Sequence, residues 1–321
     1  MRGKRKYTAP QETLNDHIGV PLTLLSAPDD AGFLVVEMGA SHMGEIAALC
    51  ETAMPTHGII TNIGTAHIEG FGSYENIRSA KSELYRWLGR IGGTVIYNDE
   101  NTVLTDLLAP GCRAVPYSSP AGYPLNIVQE ENKESMCLNV RATVSDRDYL
   151  FATALFGEYN IDNVRAAMAT GIVFDVPLSE IIDAISSYRP ANNRSQVVDT
   201  GRNLVIRDAY NANPSSMEKA LASFAALRTE KKMVILGDML ELGTESDRGH
   251  ASVVRQLRSL GADVIALVGP CFRKAAGDHP MHLFSSPEEA GDWLRSFKPE
   301  GYTILVKGSR GMMLEKLYPL L

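Results

Sequence analysis

FLVVEMGASHMGEIA (33–47), HGIITNIGTAHIEGFGS (57–73) and ENIRSAKSELY (75–85) are the segments from which the rest of the chain can be read. The first two begin as β-branched apolar runs and stop abruptly in glycine and polar residues. A buried parallel strand looks like this where it runs into a functional loop. The third has the helical period: Ile77, Lys81, Leu84 and Leu88 fall on one face. A lysine on an apolar face is rare unless paired or functional. Glu37 ends one strand, His67 follows the next, and Lys81 lies on the helix after it. Open α/β sheets bind ligands beyond the carboxyl ends of their strands.

Outward from this stretch, alternating strands and helices predict a parallel sheet. FLVVEM, HGIITNI and GTVIYN (93–98) are its expected strands. Residues 111–156 carry CRAVPYS, LNIVQE, MCLNVRATV and YLFATALF. They read as a mainly antiparallel layer appended to that sheet. Helices are expected over 157–174 and 178–188, the second capped by Ser179 or a neighbour. YRPANNRSQVV (188–198) breaks the helical pattern, which places a domain boundary near residue 190 and gives domains 1–190 and 191–321. The second half repeats the alternation in NLVIRDAY, KKMVILGDM, DVIALVG, HLFSS and YTILVKGS. It reads as a Rossmann-like doubly wound domain, with helices expected at 215–227, 247–260 and 287–296.

Composition narrows the class. A chain of 321 residues can hold two ordinary domains. A net charge of −7 argues against a nucleic-acid partner. The four cysteines show no paired spacing and read as reduced thiols of a cytoplasmic protein. No apolar run approaches the roughly 20 residues of a membrane span.

Taken singly, the candidate residues keep two readings. Glu37 suits Mg²⁺ as a hard oxygen ligand, or is a helix cap. His67 can ligate a metal or be a structural hydrogen-bonder. Lys81 is a reactive amine whose pKa burial lowers, or a lysine whose stem covers apolar surface. Asn160 and Asn163 lie on one helical turn and fit capping as well as recognition. Lys307, Ser309 and Arg310 form an anion site or a charged turn.

Seven ordered motifs resemble the Mur ligase family of ATP-dependent amide-forming enzymes. They are LNDHIGVPLTLL (14–25), VVEMGASHMGEIA (35–47), TNIGTAHIEGFGS (61–73), AKSELY (80–85), RDAYNANPSSM (207–217), ILGDMLELGTES (235–246) and LVKGSR (305–310). The resemblance runs from about residue 12 to the C-terminus. It implies a central parallel-sheet ATPase domain followed by a Rossmann-like ligase domain. It gives Glu37, His67 and Lys81 to two Mg²⁺ ions, Lys81 as a carbamate. Asn160 and Asn163 go to adenine, Arg194 to the ATP phosphates and Asp208 to the ribose. Tyr210, Asn211 and Asn213 face the same cleft. Asn15 and Asp16 belong to a loop contacting the UDP-sugar, with Asp16 standing where the family usually carries Asn. Lys307, Ser309 and Arg310 turn toward the carboxylate-bearing peptide, while Asp238 and Glu241 are candidates to orient the amine.

The DAYNANP loop favours members that add a dipeptide. The implied substrates are therefore UDP-N-acetylmuramoyl-tripeptide and D-Ala-D-Ala, joined through an acyl phosphate by a monomer. Besides Asp16, the sequence departs from the family in a larger respect: GxxxxGK[ST], the phosphate-cradling P-loop, does not occur in it. The central domain is thus expected to be incomplete, and the alternative reading is a catalytically silent fragment or binding module.

Overall fold

The structure is a computed structural model that describes residues 7–8, 14–64, 68–118, 125–130, 135–191, 193–277 and 280–321; Tyr7, Thr8 and Leu125 are described by backbone alone. The chain forms two compact units, Met1–Ser119 and Pro120–Leu321.

In the first unit, β1 (Tyr7–Thr8) pairs in parallel with β2 (Phe33–Leu34). Strands β3 (His57–Gly58), β4 (Thr94–Tyr97) and β5 (Arg113–Pro116) form a separate parallel sheet. Two expected strands are much shorter than their apolar runs. FLVVEM contributes a two-residue ladder, after which Val36 and Met38 pack on Val20, Ile46, Leu49 and Cys50. Among the described residues HGIITNI likewise pairs only at His57 and Gly58, with Ile60 in the core beside Tyr85, Leu88 and Val95. Among the described residues, side-chain burial continues along both segments beyond their ladders. CRAVPYS corrects the sequence reading: Arg113–Pro116 runs parallel to β4 and is no part of an antiparallel layer. The helix Thr102–Asp106 between them makes this a β–α–β crossover, which returns the chain in the same direction.

The second unit holds one nine-stranded sheet. Its strands are β6 (Leu125–Glu130), β7 (Cys137–Val144), β8 (Arg147–Phe156), β9 (Gln196–Asp199) and β10 (Leu204–Asp208), then β11 (Lys232–Gly237), β12 (Val264–Val268), β13 (His282–Phe284) and β14 (Thr303–Lys307). The order β13-β12-β11-β14-β10 is parallel throughout. From β10 the sheet continues antiparallel through β9, β8, β7 and β6. The antiparallel layer therefore extends the C-terminal sheet, joined to it where Leu155 meets Gln196. The compact units divide at 119/120 while the sequence reading divides at 190, because this sheet runs across residue 190.

Alternation along the parallel strands builds a core on each face. Ile206, Val234, Leu236 and Leu305 point to one side, against the helices Pro214–Ala226, Ser246–Leu257 and Pro270–Ala276. Val205, Met233, Ile235, Ile304 and Val306 point to the other, against Pro287–Phe297 and the C-terminal turn Leu314–Leu320. That is the doubly wound arrangement. The helices start and stop within a few residues of expectation, but Pro177, not Ser179, precedes Leu178–Ser187.

Candidate functional site

The first unit gathers Asn15, Glu37 and Lys81. The Asn15 amide donates to Glu37 Oε1 at 3.0 Å, and Gly39 N–H donates to the Asn15 carbonyl at 2.7 Å. The LNDHIGVP loop is thus tied to the end of the first apolar run. Gly39 leaves room for that amide: a Cβ there would lie 2.8 Å from the Asn15 side-chain amide and would displace it. Asp16 acts as a cap: its Oδ1 accepts from Ile18 N–H at 3.0 Å and Gly19 N–H at 2.7 Å. These bonds hold its carboxyl below the usual range. Its negative charge is matched to the start of the helix Gly19–Leu25.

Lys81 is the last residue of the helix Tyr74–Lys81 and is half-buried. Burial lowers the pKa of its amine, and the Glu37 carboxylate works in the opposite direction. The helical face of Ile77 and Leu88 is buried as expected, but the helix is interrupted at Ser82. The Ser82 hydroxyl donates to the Ser79 carbonyl at 2.7 Å and accepts from Arg86 at 2.8 Å. Next to it, buried Glu83 accepts from the N–H groups of Gly44 and Ala47, both at 2.9 Å. Glu83 therefore fixes the start of the helix Glu45–Ala53, a role sequence reasoning missed. Nothing local in the sequence marks it, since its two amide donors lie 39 and 36 residues away. His67 lies outside the described residues.

In the second unit the site residues meet at the carboxyl ends of β10 and β14, where Asp208 and Lys307 are register partners. Asp208 Oδ1 accepts from Ser195 N–H at 3.0 Å, and Oδ2 pairs with Lys307 Nζ at 2.6 Å. Lys307 also donates to the Asn211 carbonyl at 3.3 Å. With side-chain exposures of 4% and 13%, Lys307 and Asp208 form a buried pair beneath the surface loops. Above it, the Arg194 guanidinium stands 4.0 Å from the Tyr210 ring centre and that of Arg310 5.5 Å. Both arginines are exposed. Two exposed cations share one aromatic ring while Lys307 is matched by its own carboxylate, so the guanidinium groups are the positive charge left for an outside anion.

The remaining candidates are structurally engaged. Asn213 caps the helix Pro214–Ala226 in a reciprocal pair with Ser216. Asn211 is exposed. Buried Asn160 donates to the Phe156 carbonyl at 2.7 Å and accepts from exposed Asn163 at 2.8 Å, which fixes the entry to Ile161–Val173. Tyr159, unmarked by the sequence reading, shares a hydrogen bond with Ser195 at 2.9 Å, and burial raises its pKa.

Asp238 corrects an expectation. It is 1% exposed, and its carboxylate accepts from Cys271 N–H at 2.9 Å and Phe272 N–H at 2.8 Å. It caps the helix Pro270–Ala276 and is in no position to orient an amine. Asp238, His250 and Cys271 are close enough together to suggest a cation site. However, His250 Nε2 accepts from Met239 N–H at 3.0 Å while Nδ1 faces the Ser246 carbonyl at 2.7 Å. Neither ring nitrogen is left to ligate. Among the described residues no helix is long and apolar enough to cross a membrane.

Family comparison matches residues 2–171 to the Mur ligase middle domain and residues 193–310 to the Mur ligase, glutamate ligase domain. The chain belongs to the Mur ligase family. Its relatives include the UDP-N-acetylmuramoyl-tripeptide–D-alanyl-D-alanine ligase of Bacillus subtilis, 32% identical over 314 residues, which cover 94% of this chain and 67% of that protein. The Escherichia coli protein of the same name is 29% identical, with 98% and 70% covered. Among solved structures, MurF from Acinetobacter baumannii superposes with a TM-score of 0.85 at 29% identity, over 98% of this chain and 70% of that one. The MurF ligase from Thermotoga maritima, in complex with ADP, shares the fold at a TM-score of 0.86 and 21% identity, covering 99% of this chain and 73% of that one. Within this Mur ligase the two clusters are of different kinds. The first offers a carboxylate and a half-buried amine, and the second offers exposed guanidinium groups.

Proposed function

We propose that this Mur ligase joins the amine of D-Ala-D-Ala to the terminal carboxylate of UDP-N-acetylmuramoyl-tripeptide, with cleavage of ATP, in peptidoglycan precursor synthesis. The observation that carries the reading is the similarity to the B. subtilis ligase of that name over 94% of the chain. A carboxylate oxygen of the tripeptide takes the terminal phosphoryl group of ATP, and ADP leaves. The dipeptide nitrogen then attacks the acyl carbon. The C–O bond breaks with its electron pair on phosphate, and the amine gives up a proton.

Glu37, His67 and Lys81 would hold Mg²⁺, two ions in the fuller form of the reading, which when bound neutralises phosphate charge. The chemistry of the described donors fits. Glu37 is a hard oxygen donor tethered by Asn15, and Lys81 has a lowered pKa. A neutral Lys81 amine can add CO₂ and lose a proton to become an anionic carbamate, a second oxygen donor. Asn160, Asn163, Arg194, Asp208 and Tyr210 would serve ATP, with Arg194 placed by the Tyr210 ring. Asp208, held by Ser195 N–H and Lys307, would reach the ribose only through its remaining acceptor capacity. Asn15, Asp16, Asn211, Asn213, Lys307, Ser309 and Arg310 would belong to the substrate side. Lys307 would act there by fixing Asp208 and the carbonyl of Asn211. The enzyme would work in the cytoplasm as a monomer, with no nucleic acid bound.

The test is phosphate release by the purified chain with Mg-ATP, UDP-N-acetylmuramoyl-tripeptide and D-Ala-D-Ala, each omitted in turn. The expected result is release that requires all three, with a pentapeptide product of matching mass. No release from a folded chain would overturn the reading in favour of a silent fragment.

A further inference from the structure

Residues 238–240 leave β11 and lie against the turn that follows β14. The approach is close: a Cβ on Gly308 would lie 3.1 Å from Gly237 Cα, and one on Gly311 2.7 Å from the Leu240 side chain. Of three successive residues, the outer two are pinned to Ser309 and the middle one to His250. The Asp238 carbonyl accepts from Ser309 N–H at 3.2 Å, and Leu240 N–H donates to Ser309 Oγ at 2.9 Å. Between them, Met239 N–H donates to His250 Nε2 at 3.0 Å.

His250 is fully buried in the helix Ser246–Leu257, edge-on to the Phe272 ring at 4.7 Å. Its Nδ1 donates to the Ser246 carbonyl at 2.7 Å, which fixes the tautomer and turns the Nε2 lone pair toward Met239. Asp238 Oδ1 lies 3.6 Å from the same Nε2, with its oxygens already accepting backbone N–H groups. A histidine locked in this way supplies one directed acceptor in a fully buried place. Among the described residues no other side chain holds the Met239 amide.

We propose that His250 is a positioning residue for the reaction: by holding Met239 N–H it sets residues 238–240, and these set the Ser309–Arg310 turn and the guanidinium of Arg310 over Tyr210. This deepens the ligase reading above and rests on it for the role of Arg310. His250 touches no substrate and acts through one amide and one turn. Leaving that amide unpaired in a buried place removes the reason for the 238–240 conformation.

The test compares His250→Leu, which removes the acceptor, with His250→Gln, whose amide oxygen can stand in for Nε2. Hydrogen–deuterium exchange is followed in the peptides covering 238–242, 307–313 and 246–257. In His250→Leu, exchange should rise roughly tenfold in both of the first two segments, the equivalent of losing one hydrogen bond's worth of local stability. The helix should stay protected, and His250→Gln should restore both segments. In turnover, His250→Leu should raise KM for the UDP-linked substrate and lower kcat/KM by on the order of 10²-fold, with KM for ATP unchanged. Exchange is read without turnover, so an inactive ligase and a failed coupling are separate outcomes. Faster exchange at 238–242 with none at 307–313 would overturn the proposal, as would failure of His250→Gln to restore protection. If His250→Leu does not fold, Ser309→Ala decides from the other side. Loosening of 238–242 with the helix protected supports the coupling, and unchanged protection there overturns it.

Discussion

The two strand-end clusters are built in opposite ways. In the second unit, Asp208 and Lys307 end five-residue ladders in the middle of a nine-stranded sheet, and each is gripped by partners from other segments. In the first unit, Glu37 follows a two-residue ladder and, among the described residues, accepts a long-range bond from Asn15. Lys81 is placed by a helix whose next residue interrupts it. One cluster is a rigid buried network and the other a set of tethers on segments held by side-chain packing. Substitutions in the first kind should register in global stability. In the second they should register in local chemistry first.

The sharpest break would come from Lys307→Met. It leaves the Asp208 carboxylate buried without its cation, and losing one partner of a buried pair costs about 3–5 kcal/mol. Urea denaturation should show that loss. The double variant Asp208→Asn/Lys307→Met should recover most of it, because the unpaired charge is gone. A single variant as stable as the parent would show that the network is not what holds these strand ends.

Gly269→Ala comes next, at about 1–3 kcal/mol for the backbone alone. Gly269 sits at φ +121°, and a Cβ there would run into the Asp238 carboxylate. The collision should displace that carboxylate from the N–H groups of Cys271 and Phe272. Thermal melting checks the size. The melting temperature of an alanine variant of Gly261 is the control for the backbone cost, since that residue also has positive φ but nothing near an added Cβ.

The same contrast explains what the sequence disclosed. KKMVILGDM and YTILVKGS read correctly as strands because a central parallel strand is buried on both faces and its whole run is apolar. FLVVEM has an equally apolar run, yet only Phe33 and Leu34 find a ladder partner among the described residues. Local pattern reports burial, and it does not report whether a neighbour strand exists. Asp208 and Lys307, read from the sequence as belonging to different sides of the site, are paired because the ends of β10 and β14 are register neighbours in the sheet. Asp238 looked like a free acid because its two amide donors lie 33 and 34 residues away. The direction of β5, the break at Ser82 and the cap made by Glu83 depended on similarly distant or conformational facts.

In the tethered cluster the expected change is one of titration. Burial lowers the Lys81 pKa and Glu37 raises it, so Glu37→Gln should lower it further. The sign for stability follows. A lysine whose folded pKa lies below its unfolded value adds stability as pH rises from the folded value toward the unfolded one. Competitive acylation with mass spectrometry should find Lys81 reacting at lower pH than the exposed lysines, and lower still in Glu37→Gln. A Lys81 that titrates with the exposed lysines in both proteins would detach it from Glu37.

The smallest effect belongs to Asp16, at the edge of that same cluster. Its carboxyl is fully exposed yet held below the usual range by Gly19 and Ile18 N–H groups. A depressed carboxylate pKa stabilises the fold above the unfolded value, and the contribution disappears as pH falls through the folded value. Asp16→Ala should therefore lower the melting temperature slightly at neutral pH, and the gap from the parent should close in acid. Asp16→Asn, which keeps an acceptor on the helix start, should sit between them at neutral pH and show little of this pH dependence. If instead Asp16→Asn matched the alanine variant at neutral pH, charge against the helix end and not the hydrogen bond would be what Asp16 contributes.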